Sequence, residues 1–214
     1  MIHIHYANLT YYDDCLYRQS DLIDNGYAFT QCPVFNHRNN RTFVSLSPID
    51  FYCEIDRKEK DFKSTDSSLV VLTQSELESP KPTIQLKFPM FLFWCEQDNV
   101  WFEFNDHPMT SYSNNFIAVP GWFNISNWSR NMSFAITFVD ETKPIKIKKG
   151  DPLFRFTFYS EDLNSDITLH KETNEDIINQ KLVSFVDGKE NRSWVGKLFS
   201  KNKTSKCPVS FLHK

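Results

Sequence analysis

Only 5 glycines and 4 alanines occur among 214 residues, and each shortage excludes something. So little glycine leaves no material for a glycine-rich phosphate cradle, and neither a P-loop nor G-x-G-x-x-G is present. Scarce alanine removes the best helix former and argues against a helical bundle. No G-x-S-x-G or H-E-x-x-H signature occurs. A surplus of positive charge is also missing. The formal net charge is −3 and the pI about 6.1, which excludes a general nucleic-acid binder, because such a protein presents a basic face. No apolar run approaches the length of a membrane span, so no membrane contact is expected. The opening Met1-Ile2-His3-Ile4-His5-Tyr6 lacks the basic region and apolar core of a signal peptide, which predicts a cytosolic chain. Cys15, Cys32, Cys53, Cys95 and Cys207 include no C-x-x-C pair and read as free thiols of a reducing compartment. No cofactor motif is found, and no cofactor is expected.

Aromatic residues are plentiful: 20 Phe, 8 Tyr and 5 Trp. Bulky rings suit pleated, half-buried surfaces, and apolar residues recur with period two through Thr42–Leu46, Pro48–Ile55, Leu69–Leu72, Ile84–Phe88 and Val100–Phe104. These spacings predict a mainly β chain of compact, strongly bent antiparallel sheets. They place a β domain over residues 1–160, then a helical and basic extension over 161–214. A short helix is expected before Asn25-Gly26, and an amphipathic one over Thr173–Val183 with Ile177, Ile178, Leu182 and Phe185 on one face. Asn36–Arg41 reads as a polar loop or hairpin tip, 56–68 as an irregular surface excursion, and 112–122 as irregular around Pro120-Gly121. Asp98-Asn99 sits where a hairpin turn would join the two richest apolar blocks. Ser133–Phe138, Pro144–Lys149 and Pro152–Phe158 read as a closing meander, with Gly150 supplying the positive φ of its last turn.

Candidate chemistry is sparse. His3 and His5 lie two apart on a strand, so both rings face the same way and could hold a metal ion, with Asp13 and Asp14 completing it. The plainer use is the polar outer face of an edge strand. Asp106-His107-Pro108 ends an apolar strand, where a rigid scaffold meets an exposed loop, and the carboxylate would raise the basicity of His107. A simple turn accounts for the same residues. Arg130, Arg155 and Lys149, with Lys146 and Lys148, could line a patch for a phosphate or an acidic partner, or form a solvated strand face. Trp94, Trp101, Trp122 and Trp128 are mostly expected in the core. Any aromatic excess marks an interface, for which Trp122 and Trp128 lead.

From about Phe29 to Ser160 the order of motifs resembles an uncharacterised protein family of bacteriophages that infect marine bacteria. The matching pieces are Cys32-Pro33, Ser45–Phe51, Asp106-His107-Pro108, Pro120-Gly121 and Ile147–Leu153. Within it, Lys149-Gly150-Asp151-Pro152-Leu153-Phe154-Arg155-Phe156 is similar to the closing turn of the dUTPase-type β-clip. That resemblance implies a strongly bent sheet and symmetric assembly, a trimer ahead of a dimer. It carries over no active site: the hairpin at Asn124–Arg130 lacks the water-activating aspartate, and no glycine-rich arm follows. The expected function is that of a non-catalytic bacteriophage accessory or structural protein acting by protein–protein association, in the host cytoplasm or the virion. Its partners would be copies of itself, or a host or virion protein. The alternative is a β-clip-type binding protein or hydrolase for a nucleotide-like small molecule.

Overall fold

The computed structural model describes residues 1–12, 15–22, 31–59, 61–72, 77–107, 113–126 and 129–182. It is mainly β. The strands are β1 (Ile2–Asn8), β2 (Leu16–Arg18), β3 (Thr42–Leu46), β4 (Phe51–Asp56), β5 (Asp61–Ser64), β6 (Val70–Val71) and β7 (Thr83–Trp94). They continue as β8 (Trp101–Asp106), β9 (Phe116–Ala118), β10 (Gly121–Asn124), β11 (Arg130–Phe138), β12 (Ile145–Ile147), β13 (Pro152–Tyr159) and β14 (Ile167–Lys171). Helices among the described residues include α1 (Gln19–Leu22), α2 (Pro33–Asn39) and α3 over 175–182.

Sheet A has the order β14-β1-β7-β11-β9, with β6 pairing β7; sheet B runs β10-β8-β13-β3-β2, and sheet C β12-β4-β5. The pairs are antiparallel as expected, except that β14 lies parallel to β1. Alternation along each strand sends phenylalanines inward from both large sheets. Phe91, Phe93 and Phe134 of sheet A meet Phe102, Phe154, Phe156 and Phe158 of sheet B, all fully buried. Pro89, which has no ladder donor, falls where the β7–β11 register shifts between Met132 and Phe134, and there the missing N–H costs no pairing.

Two bent ribbons carry the chain from sheet to sheet. In the first, β3 and β13 pair in sheet B, and past the bend β4 and β12 pair in sheet C. The bend is tied by its own backbone: Ser47 N donates to Asp151 O and Gly150 N to Ser47 O, each at 2.8 Å. Gly150 sits at φ 89°, as its turn requires, and Lys148 N donates to Asp151 Oδ2 at 2.9 Å. In the second ribbon β7 and β11 pair in sheet A, while β8 and β10 pair in sheet B. Here Ile125 N donates to Val100 O at 2.9 Å. Gly121 is needed because Phe104 lies against it: a Cβ would fall 2.2 Å from that ring.

These bends correct several expectations. The closing meander is not one, since β11, β12 and β13 belong to sheets A, C and B. Asn115 redirects the chain after β11: its Nδ2 donates to Asp140 O and Lys143 O, both at 2.7 Å, and its Oδ1 accepts from Asp140 N at 2.8 Å. The Asp98-Asn99 turn likewise joins two sheets rather than a hairpin, because β7 and β8 pair with different strands. Residues read as irregular at 56–68 and 112–122 contain β5, β9 and the start of β10. The polar stretch from Asn36 belongs to α2, which Pro33 starts at a first-turn position where its missing N–H costs nothing.

The amphipathic helix is present as α3. Asn174 caps it, accepting from Asp176 N at 3.0 Å, and Ile177, Ile178 and Leu182 pack on Ala7, Leu92 and Trp94. Beyond residue 160 the chain still joins sheet A through β14. Asn25-Gly26, Phe185 and the tail lie outside the described residues. Among the described residues, no helix is long and apolar enough to cross a membrane.

Candidate functional site

The outer face of sheet B gathers more of the candidate residues than any other place. Register puts Trp101 beside Tyr159, Glu103 beside Thr157 and Asn105 beside Arg155, while Trp122 of β10 lies beside Glu103. Their neighbours Phe102, Phe104, Phe156 and Phe158 fill the core, so alternation forces these side chains out. Trp101 and Trp122 touch with ring centroids 4.9 Å apart and tilted by 43°. Trp122 is 68% exposed, and among the described residues its strand forms one edge of sheet B. The two rings, with Asn99, Tyr159, Ser160 and Glu161, line a shallow depression of about 280 Å³.

A polar network extends from this depression along the sheet. Tyr159 Oη donates to Glu103 Oε2 at 2.6 Å and Asn105 Nδ2 donates to Glu103 Oε1 at 3.0 Å. The Tyr159 bond holds Glu103 below the usual carboxylate range, whereas burial and Glu103 push Tyr159 up to about 12. Both groups therefore keep a fixed protonation state at neutral pH. Arg155 Nε donates to Asp106 O at 3.2 Å, and burial lowers the guanidinium's pKa, with Arg38 adding to it. This face can stack against a ring and present fixed donors and acceptors, but its tyrosine and carboxylate are not poised to exchange protons near pH 7.

His107 follows β8 at the Arg155 end of this face, its backbone N donating to Leu153 O at 3.2 Å. Its expected rise in basicity is reversed. Burial lowers its pKa, Arg155 lowers it further, and Asp106 opposes both without prevailing. Arg130 opens β11 opposite Phe93 in sheet A, away from the sheet that carries Arg155. Lys149 lies at the first ribbon's bend, its backbone N donating to Asp50 Oδ1 at 2.8 Å, and lines a separate cavity of about 350 Å³ with Tyr11, Tyr12 and Tyr17. Trp128, Pro108, Asp13 and Asp14 lie outside the described residues.

His3 and His5 share the outer face of sheet A with a third ring that sequence spacing did not find. Parallel pairing sets His170 of β14 beside His5, and His3 Nδ1 lies 2.8 Å from His170 Nε2. His5 stacks on Trp94 with centroids 5.4 Å apart and an interplanar angle of 13°. The signal for His170 was a period-two match 165 residues downstream, which only strand pairing could bring together.

The histidines predict a pH response of stability. His5 has its pKa lowered from 6.5 by burial and by His170, with Glu96 and Glu172 opposing; His107 is lowered as described above. For both, the unfolded chain takes up the proton first as pH falls. Their contribution is thus complete above about pH 6.5 and lost as pH drops through the lowered folded values. The urea midpoint is expected to fall between pH 7 and 5.5, and to fall less in His5→Gln/His107→Gln. An identical fall in the double variant would reject this assignment.

No protein-family model matches the chain, and a search of curated proteins finds no match. Among solved structures it is similar to the native dUTPase of EIAV, at 9% identity over 81% of this chain and 98% of that one, with a TM-score of 0.40. It is also similar to a mutant dUTPase from phage phi11 of S. aureus, at 9% identity over 74% of this chain and 97% of that one, with a TM-score of 0.36. Likenesses of this size carry no statement about activity.

Proposed function

We propose that this chain is a non-catalytic binding protein of the accessory or structural class, working by protein–protein association through the outer face of sheet B. The observation that supports this is Trp122, 68% exposed on an edge strand and packed against Trp101 beside a shallow depression rather than a deep pocket. A large ring held half out of the surface offers apolar area at little entropic cost, the pattern of an interface anchor. The first partner is a second copy of the chain, in a closed symmetric assembly.

Light scattering at micromolar concentration tests this. A mass that is a multiple of 25.3 kDa is expected for the native chain, and a mass of 25.3 kDa for Trp122→Ala at an unchanged melting temperature. A native chain of one copy's mass, or a Trp122→Ala chain that still assembles, removes self-association through this face.

The alternative, a protein that binds or hydrolyses a nucleotide-like small molecule, draws on the cavity beside Lys149. Three tyrosines and one lysine around about 350 Å³ offer stacking surfaces and a cation for an aromatic anion. Thermal shift and turnover with a panel of nucleotides separate the two readings. A shift of several degrees, lost in Lys149→Ala, favours the cavity.

A further inference from the structure

We infer that His3, His170 and His5 form a binding site for a borderline divalent transition-metal ion of the Zn²⁺, Ni²⁺ or Cu²⁺ class, on the outer face of sheet A. Imidazole nitrogen suits these ions, and the rings come from two adjacent strands, β1 paired on both sides and β14 paired to β1. His3 N donates to Gln97 Oε1 at 2.8 Å and Cys95 Sγ donates to His3 O at 3.2 Å, which fixes the backbone that carries the first ring. On β14, the parallel ladder to β1 and the bond from Glu172 N to Tyr6 O at 2.8 Å fix the second.

The nitrogens His3 Nδ1 and His170 Nε2, 2.8 Å apart, share one proton in a hydrogen bond. An ion about 2.0–2.1 Å from each nitrogen in tetrahedral geometry requires them to stand roughly 3.3–3.4 Å apart. The gap is therefore short by about half an ångström. The donor ring need only carry its N–H on its other nitrogen for both facing nitrogens to offer lone pairs, and no net proton is released. Among the described residues no three ligands are already spaced around one ion position. The site is accordingly a two-imidazole clamp that rotates open to admit the ion. His5, whose ring centroid is 5.5 Å from that of His170, is the third ligand within reach of a rotation off Trp94.

Calorimetric titration of the full chain with Zn²⁺ at pH 7.5 tests the inference. One ion per chain is expected, with binding weakened at least about tenfold in His3→Gln and in His170→Gln and abolished in the double variant. His37→Gln, which alters a histidine bonded to Leu163 O on another part of the surface, is expected to bind as the native chain does. No stoichiometric binding, or binding that survives the double variant, overturns the site. Should a variant fail to fold, the native chain decides alone. The imidazole resonances of His3 and His170 must shift on adding Zn²⁺, and their failure to move rejects the clamp.

Discussion

Phe156→Ala is expected to lower folding stability by about 3–5 kcal/mol, a large share of the 5–15 kcal/mol typical of a domain. Phe156 is fully buried at the centre of the aromatic core. Its ring lies 5.9 Å from Phe91, 5.6 Å from Phe93 and 5.3 Å from Phe134, all across in sheet A, and 5.5 Å from Phe102 beside it in sheet B. Truncation removes the apolar area it buries and leaves a hole lined by rings anchored on strands of two sheets. Those strands cannot close the hole without breaking ladder bonds. Phe156→Leu keeps most of the volume and is expected to cost less, below about 2 kcal/mol. Urea denaturation followed by circular dichroism measures both. A loss below about 1 kcal/mol for the alanine variant would show that the two sheets collapse freely onto each other, and the account of a rigid interdigitated core would fall.

Arg41→Met is expected to cost a similar amount, about 3–5 kcal/mol, for a polar reason. Arg41 is 4% exposed, yet all three of its guanidinium nitrogens donate hydrogen bonds. Nε donates to Phe158 O at 3.2 Å, Nη1 to Leu163 O at 2.9 Å and also to Ser165 O, and Nη2 to Ser160 Oγ at 2.8 Å. Burial lowers its pKa while Asp162 and Asp166 oppose the shift, so the side chain remains charged. One planar fork thus holds the 160–165 turn against β13 and sets the chain on course for β14. Methionine matches the length but leaves several carbonyls without their donor, and lysine, a point charge, reaches only some of them. Alongside lower stability, limited proteolysis is expected to cut Arg41→Met first between residues 160 and 166. A variant that keeps native stability and resists cleavage there would mean that those carbonyls reach water unaided.

His107 and the histidine pair show how far local reading extends. Asp106-His107 was legible as a strand end, because an apolar alternation stops there. The direction of the shift at His107 was not, since it depends on burial and on Arg155, which is 48 residues away and arrives only through β8–β13 pairing. His3 and His5 were legible as one face of a strand, but His170 was hidden because it becomes a neighbour only through the parallel pairing of β14 with β1. Arg41 stood in a stretch that composition marked as polar loop, and nothing local distinguishes a buried guanidinium from a solvated one.

The sequence by itself determined the types of its most strongly periodic elements. Period-two aromatics at Phe102, Phe104, Phe154, Phe156 and Phe158 make strands with one apolar face, and Gly150 with Pro152 marks a bend. Ile177, Ile178 and Leu182 make a helix with an apolar stripe. Those are short-range consequences of side-chain direction and backbone preference. Which strands pair was decided only by the tertiary structure, because alternation records the face of a strand and not its neighbour. Asn115 turns β11 away from β12, and the bond network of Ser47, Gly150 and Asp151 bends one ribbon across two sheets. The same pairing decided the surface: it placed Trp122 on an edge beside Trp101, and it brought the imidazole of His170 to that of His3.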